Sequence, residues 1–148
     1  MGSLKLQVGN QPYLLAASSY VRMNVFVLER SIKLVDEFDE HDGKNTTYAV
    51  LFDGKLPVAT ARLMQSKTDI LSVRIGRVAT LKQYRGQKCG SQVFQALEKM
   101  ATKSNYKKAI VHAELTAAEF YEKLGFARCG KAYQEDETEC ITLTKTLD

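Results

Sequence analysis

The chain has 148 residues, of which 45% are hydrophobic, and a formal net charge of +4. This length predicts one domain, residues 1–148, and the hydrophobic content suffices for a buried core, which excludes a disordered chain. We find no secretory leader, no apolar run of about 18 residues and no lipidation pattern, so we expect a cytoplasmic protein without a membrane partner. The modest charge suits a polyanionic ligand and, without a Lys/Arg run, argues against nucleic acid. Three cysteines without metal-ligand spacing indicate reduced thiols and no metal.

The N-terminal half predicts a strand, a long helix and a hairpin. Proline near the start of the helix and apolar residues at helical spacing support the helix, and an Asp-Gly pair between two apolar runs is typical of a hairpin turn. The predicted elements are a strand at Leu4–Val8, a helix at Gln11–Arg30, a second short helix or loop at Ser31–Asp42, and strands at Thr46–Phe52 and Leu56–Met64 around Asp53-Gly54.

The C-terminal half alternates strands and helices. The predicted elements are a strand over 73–80, a helix over 90–103, a strand over 108–113, a helix over 116–124, and strands over 126–133 and 138–145. A helix joins the two central strands, which are therefore expected to be parallel. The order predicts an α/β fold, with one mixed sheet and helices on both faces.

The corner between strand 73–80 and helix 90–103 has the composition of an anion site. The first turn of a helix has unpaired N–H groups and the positive end of the helix dipole, and small residues allow a phosphate to approach the backbone. The corner matches neither the P-loop nor the dinucleotide fingerprint. The run Arg85-Gly86-Gln87-Lys88-Cys89-Gly90 resembles the [QR]-x-x-G-x-[GA] loop of the GNAT N-acetyltransferases, although Lys88 replaces the middle glycine. An ordinary strand–turn–helix corner is the alternative.

A second segment, from Ala113 to Phe126, resembles the other GNAT signature, A-[QN]-x-x-A-x-x-F-Y-x-x-x-G-F. Glu114 departs from it, since the family usually has an amide there. Gly125 is placed to end the helix, and Phe126 to pack back on its last turn.

A third resemblance extends toward the N-terminus. Residues 22–29 and 37–42 resemble the R-x-x-V-F-V-x-E and E-F-D-x-x-D stretches of the ElaA/YjcF-like branch of GNAT. The likeness covers roughly residues 20 to 145 and implies the acyl-CoA N-acyltransferase fold, in which the two central strands splay apart and admit the pantetheine arm.

The resemblance implies an acetyl-CoA-dependent N-acetyltransferase that moves an acetyl group directly to a primary amine of a small molecule or peptide. Tyr121 would be the general acid that protonates the CoA thiolate, and Glu29 would be the base. A backbone N–H near Val78–Thr80 would stabilise the carbonyl oxygen. Residues implied in binding acetyl-CoA are Val78, Ala79, Thr80, Arg85, Gly86, Gln87, Lys88, Cys89, Gly90, Ser91, Glu114, Ala117 and Tyr121.

Several alternatives stay open at this stage. Further candidates for the base are Glu37, Asp39, Asp42 and Glu114, while His112 is interpreted as a packing residue and Cys89 as an apolar one. The acidic run Asp36–Asp42, together with Glu135-Asp136-Glu137, is a candidate surface for a cationic amine. A homodimer is possible. A non-catalytic acyl-CoA-binding module on the same fold is the alternative function, favoured by the departures at Lys88 and Glu114.

Overall fold

The computed structural model describes residues 3–43, 45–135 and 137–148. One seven-stranded sheet has the order β1-β2-β3-β4-β5-β7-β6, and only its β4–β5 pair is parallel. The strands are β1 (Lys5–Gly9), β2 (Thr47–Asp53), β3 (Leu56–Gln65), β4 (Ser72–Thr80), β5 (Lys108–Glu114), β6 (Ala127–Glu135) and β7 (Thr138–Thr146). The predicted mixed sheet and its two parallel central strands are confirmed.

Helices flank the sheet on both faces. They are α1 (Pro12–Arg22), a π-helical segment (Met23–Glu29), α2 (Leu34–Glu37), α3 (Cys89–Lys103) and α4 (Ala118–Lys123), with single 3₁₀ turns at Lys82–Tyr84 and Leu115–Ala117. In the described ranges, no helix is long and apolar enough to cross a bilayer.

The predicted helix over Gln11–Arg30 changes its winding halfway along. From Met23 the segment is π-helical, and the N–H of Arg30 bonds to the carbonyl of Val25, five residues earlier. Because each such bond encloses one residue more than an α-helical bond, the buried face shifts along the segment. Leu28, which the 3.6-residue spacing places on the apolar face, is consequently 68% exposed.

The two faces of the sheet are covered differently. On one face α3 buries Val93, Phe94 and Leu97, which belong to the main core, as the apolar spacing of this helix predicts. On the other face α1 packs Leu14 against Tyr48 and Val50 of β2. We call these the α3 face and the α1 face.

The acidic run after the π-helical segment is neutralised by arginines. Buried Arg22 donates to Glu37 at 2.9 Å and to Asp42 at 2.7 Å, and Arg62 donates to Asp39 at 3.0 Å. The pKa of Asp42 is lowered to about 2 because hydrogen bonds and charge from Arg22 outweigh the effect of its burial. The interpretation of this run as an attracting surface for a cationic amine is therefore wrong for Glu37, Asp39 and Asp42, while Asp136 of the second acidic segment lies outside the described residues.

Candidate active site

A gap opens in the sheet between β4 and β5. The two strands pair only from Ser72 opposite Lys108 to Arg74 opposite Ile110, although β4 continues to Thr80 and β5 to Glu114. Beyond that point the facing edges of these strands are not paired with each other, so main-chain N–H and C=O groups there can bind a ligand. The splayed central strands expected from the sequence are present.

An irregularity in β4 lies beside this gap. The register against β3 shifts between Thr60 and Arg62, and Arg77 opposite this shift has a φ of 52°. This arrangement is a β-bulge, which re-aims the main chain of one strand. Val78 and Ala79, the residues expected to contact the acyl donor, follow it directly.

The loop between β4 and α3 is shaped to hold an anion. Gly86 has a φ of 81° and Lys88 a φ of 61°, so two left-handed residues stand close together before α3 begins at Cys89. No side chain caps α3, and the first helical hydrogen bond runs from the N–H of Gln92 to the carbonyl of Lys88. The N–H groups of Cys89, Gly90 and Ser91 are the uncapped first turn, which carries the positive end of a helix of 15 residues.

Gly90 packs this first turn against the gap. A Cβ at Gly90 would lie 3.7 Å from Phe120 of α4 and 3.7 Å from Val78 of β4. These are ordinary contact distances, so the position places the start of α3, the end of β4 and α4 in direct contact. The predicted binding residues of the loop and of β4 are thus brought together on the α3 face.

Two exposed ion pairs join the π-helical segment and its end to both sides of the gap. Arg85 donates to both carboxylate oxygens of Glu29 at 2.7 Å, and its Nε donates to the carbonyl of Thr80 at 3.0 Å. Arg30 donates to both carboxylate oxygens of Glu114, at 2.7 and 2.8 Å. The hydrogen bonds from Arg85 lower the pKa of Glu29, so that carboxylate is a weaker proton acceptor than a free one. The departure at Glu114 thus provides a partner for Arg30.

Tyr121 lies in an aromatic cluster below the gap. Its ring centroid is 5.4 Å from that of Phe94 and 5.0 Å from that of Phe120, and the residue is 8% exposed. Burial raises the pKa of its hydroxyl to about 12, which keeps the phenol protonated at neutral pH. In the described part of the chain, no group forms a hydrogen bond with this hydroxyl, which can therefore donate to a ligand.

Cys89 has the apolar role that the sequence analysis gives its side chain. The residue is 2% exposed at the start of α3, and burial raises the pKa of its thiol. A protonated, buried thiol is a poor nucleophile, so only the backbone of Cys89 is available to a ligand.

The interpretation of His112 as a packing residue is wrong, because its side chain is exposed near the gap. His112 of β5 lies with Arg74 of β4 in the wall of a cavity of about 460 Å³ on the α1 face. Successive side chains of a strand point to opposite faces, so His112 of β5 lies on the face opposite buried Val111 and Ala113. This two-residue period is the sequence signal that distinguishes His112 from the packing residues.

Comparisons with known proteins agree with this geometry. The family model described as "Acetyltransferase (GNAT) domain" matches residues 16–147. An uncharacterized acetyltransferase of Streptococcus pyogenes is 38% identical over 114 residues, which is 77% of each chain. The crystal structure of a Lactobacillus plantarum protein, described as a candidate N-acetyltransferase, superposes with a TM-score of 0.91 at 36% identity over 99% of each chain. Escherichia coli ElaA superposes with a TM-score of 0.85 at 25% identity, over 97% of this chain and 99% of that one.

Three findings agree: the match to the family model, the 38% identity to the Streptococcus pyogenes relative and the splayed central strands. They favour an enzyme over a non-catalytic module. The chain belongs to the GNAT family of N-acetyltransferases.

Proposed function

We propose that this protein transfers an acetyl group from acetyl-CoA to a primary amine by direct attack within a ternary complex. The observation that carries the proposal is the gap between β4 and β5, with the uncapped first turn of α3 at the end of β4. One surface thus offers unpaired main-chain groups for an extended amide-containing arm and helical N–H groups for a pyrophosphate.

The loop from Arg85 to Ser91 would bind the pyrophosphate. Backbone N–H groups of Cys89, Gly90 and Ser91 would donate to phosphate oxygens, and the positive end of the α3 dipole would stabilise the charge. Lys88 adds a cation to the same loop. Arg85 would share its guanidinium between Glu29 and a phosphate oxygen. Main-chain groups of residues 78–80, together with Glu114 and Ala117 across the gap, would line the pantetheine arm.

Groups on both sides of the gap would assist the two steps of acetyl transfer, addition of the amine and loss of the CoA thiolate. When an amine adds to the thioester, negative charge develops on the carbonyl oxygen, and a main-chain N–H re-aimed by the bulge at Arg77 would stabilise it. When the C–S bond breaks, the thiolate needs a proton. Tyr121 is suited to supply it, because its hydroxyl is protonated and lacks a partner among the described residues.

Glu29 is poorly suited to act as the general base. Its two carboxylate oxygens are engaged by Arg85, and its pKa is lowered, so both contacts oppose proton uptake. The assignment of Glu29 as base stays a prediction, and the geometry favours a role in positioning Arg85.

Binding of the acyl donor is the first test. Calorimetry should show acetyl-CoA binding and no comparable binding of ATP or NAD, since the loop matches neither nucleotide pattern. At about 100 times its dissociation constant, acetyl-CoA should add roughly 2.7 kcal/mol of stability in a thermal shift. Arg85→Glu should weaken CoA binding at least 10-fold, while Lys99→Glu, an exposed charge reversal farther along α3, should not.

Turnover is the second test. A broad amine panel with acetyl-CoA should yield N-acetylated products, detected by mass, and initial rates should give the intersecting lines of a ternary complex. ATP binding without acetyl-CoA binding would refute the proposal. Parallel lines, with an acetylated enzyme intermediate, would refute direct transfer.

A further inference from the structure

The cavity on the α1 face meets the gap from the side opposite Tyr121. Arg74, Ile110 and His112 line it. Arg74 and Ile110 form the last paired position of β4 and β5, and His112 follows where the strands part. The cavity therefore borders the gap at His112. Its volume of about 460 Å³ lies in the range of small-molecule sites.

The wall of this cavity is cationic. It contains Lys67, Arg74 and Lys108, and none of the described residues that line it is acidic. In the described ranges, no acidic side chain lies within ion-pair distance of these three cations. Asp69 accepts a hydrogen bond from Ser72 at 2.7 Å and stays ionised, so it contributes negative charge near Lys108 without forming an ion pair with it.

This arrangement differs from that of the neighbouring arginines. Arg22 of α1, Arg62 of β3 and Arg77 of β4 are all paired with carboxylates. The three cations of the cavity wall are instead exposed, and among the described residues no carboxylate lies within ion-pair distance of them. Charge-assisted hydrogen bonds to a carboxylate or phosphate are the strongest contacts that such a wall can make.

His112 is held at this wall by hydroxyl groups. Its Nδ1 lies 3.0 Å from Oγ1 of Thr142 on β7 and 3.3 Å from the hydroxyl of Tyr133 on β6. With the proton on Nδ1 donated to Thr142, Nε2 presents its lone pair to a ligand. Partial desolvation and the charge of Arg74 lower the pKa of His112, and Glu135 of β6 offsets this only in part. The imidazole is therefore neutral at pH 7.

We propose, on the basis of the acetyl transfer proposed above, that this cavity binds the acceptor amine. Arg74, Lys67 and Lys108 hold an anionic group of that amine, and His112 is the base that takes its proton. The amine nitrogen bonds to the acetyl carbon, and Nε2 of His112 takes the proton that the nitrogen then carries in excess. The C–S bond breaks, and Tyr121 protonates the thiolate. The proton on His112 returns through solvent to the phenolate, which leaves CoA thiol and an N-acetyl product.

Matched pairs of amines test the anionic group. The pairs are α-amino acids against their amides, and phosphoethanolamine against ethanolamine, with acetylated product measured by mass. In at least one pair the anionic member should have a kcat/KM at least 10-fold higher, and the pair that responds identifies carboxylate or phosphate. Equal or faster acetylation of the neutral members would overturn the inference, and so would acetyl-CoA binding with no anionic amine acetylated.

Variants at the wall test the contact. Arg74→Gln should raise the KM of the anionic acceptor 10- to 100-fold and leave acetyl-CoA affinity unchanged. Lys99→Gln is the matched control, because it removes one exposed cation from α3 on the other face. An Arg74→Gln enzyme with an unchanged KM would refute the anion contact.

His112→Gln tests the base, since the amide keeps a polar side chain but cannot accept a proton. We expect kcat to fall 10²- to 10⁴-fold, and the acid limb of the wild-type pH–rate profile, with an apparent pKa below the ordinary value, to disappear. An unchanged limb would refute the role of His112. Failure of acetyl-CoA to bind the wild type would instead refute the proposed function itself.

Discussion

Lys88 occupies a backbone conformation that suits glycine better than lysine. Its φ of 61° and ψ of 24° lie in the left-handed region, where a Cβ is too close to the following carbonyl oxygen. A left-handed conformation costs a residue with a Cβ about 1–2 kcal/mol, while glycine loses roughly 0.5–1 kcal/mol through the greater freedom of the unfolded chain. Lys88→Gly should therefore raise the free energy of unfolding by up to about 1 kcal/mol.

Lys88→Ala separates strain from charge, because alanine removes the ammonium group and retains the strained Cβ. We expect the glycine variant to melt about 2–4 °C above the alanine variant for a chain of this length. In calorimetry both variants should lose the same factor in CoA affinity, of the order of 10-fold, if the ammonium contacts a phosphate.

Differential scanning calorimetry without ligand measures the stability of each variant, and calorimetric titration with CoA measures its CoA affinity independently. A glycine variant that is no more stable than the alanine variant would refute the argument from backbone strain. An unchanged CoA affinity in both variants would show that the Lys88 side chain points to solvent.

Three further predictions concern catalysis and the buried charges. Tyr121→Phe should lower kcat 10²- to 10⁴-fold with little change in acetyl-CoA affinity. Because the pKa of Tyr121 is raised to about 12, ionisation of its hydroxyl should not reduce the wild-type rate below about pH 10. A fall in the rate below that pH caused by Tyr121 would contradict its assignment as the acid. Arg22→Met should cost about 3 kcal/mol in chemical denaturation, since it removes the closest cation of buried Glu37 and half-buried Asp42, which keep only contacts of 3.3 Å to Arg77 and Arg62, and a loss below about 1 kcal/mol would contradict it. The folded-state pKa of Asp42, about 2 against an ordinary 3.8, gives on the order of 2 kcal/mol of stability that is present above about pH 4 and is lost as the pH falls toward 2. Asp42→Asn should flatten this acid dependence, and an equally steep profile would assign it to other groups.

The sequence predicted those features that are encoded locally. Periodicity and turn residues gave the order of strands and helices, and the small and polar residues from Arg85 to Gly90 indicated the turn that precedes α3. The change of winding at Met23 could not be predicted, because it has no signal in the 3.6-residue spacing. The partners of Glu29 and Asp42 were equally out of reach, since each lies on another segment and only the folded chain brings them together.

The same contrast between local and long-range information applies to the charged residues. Along the chain, Glu37, Asp39 and Asp42 form a negative run, whereas the cations of the cavity are scattered over positions 67, 74 and 108. Folding pairs the acidic run with arginines and gathers the scattered cations around one opening of the gap. The negative charge that the acidic run shows in the sequence is therefore offset by arginines in the folded chain. Because charge without a partner is more available to a ligand than paired charge, we propose an anion-bearing amine for the cavity, whereas the acidic run was only a candidate surface for a cationic one.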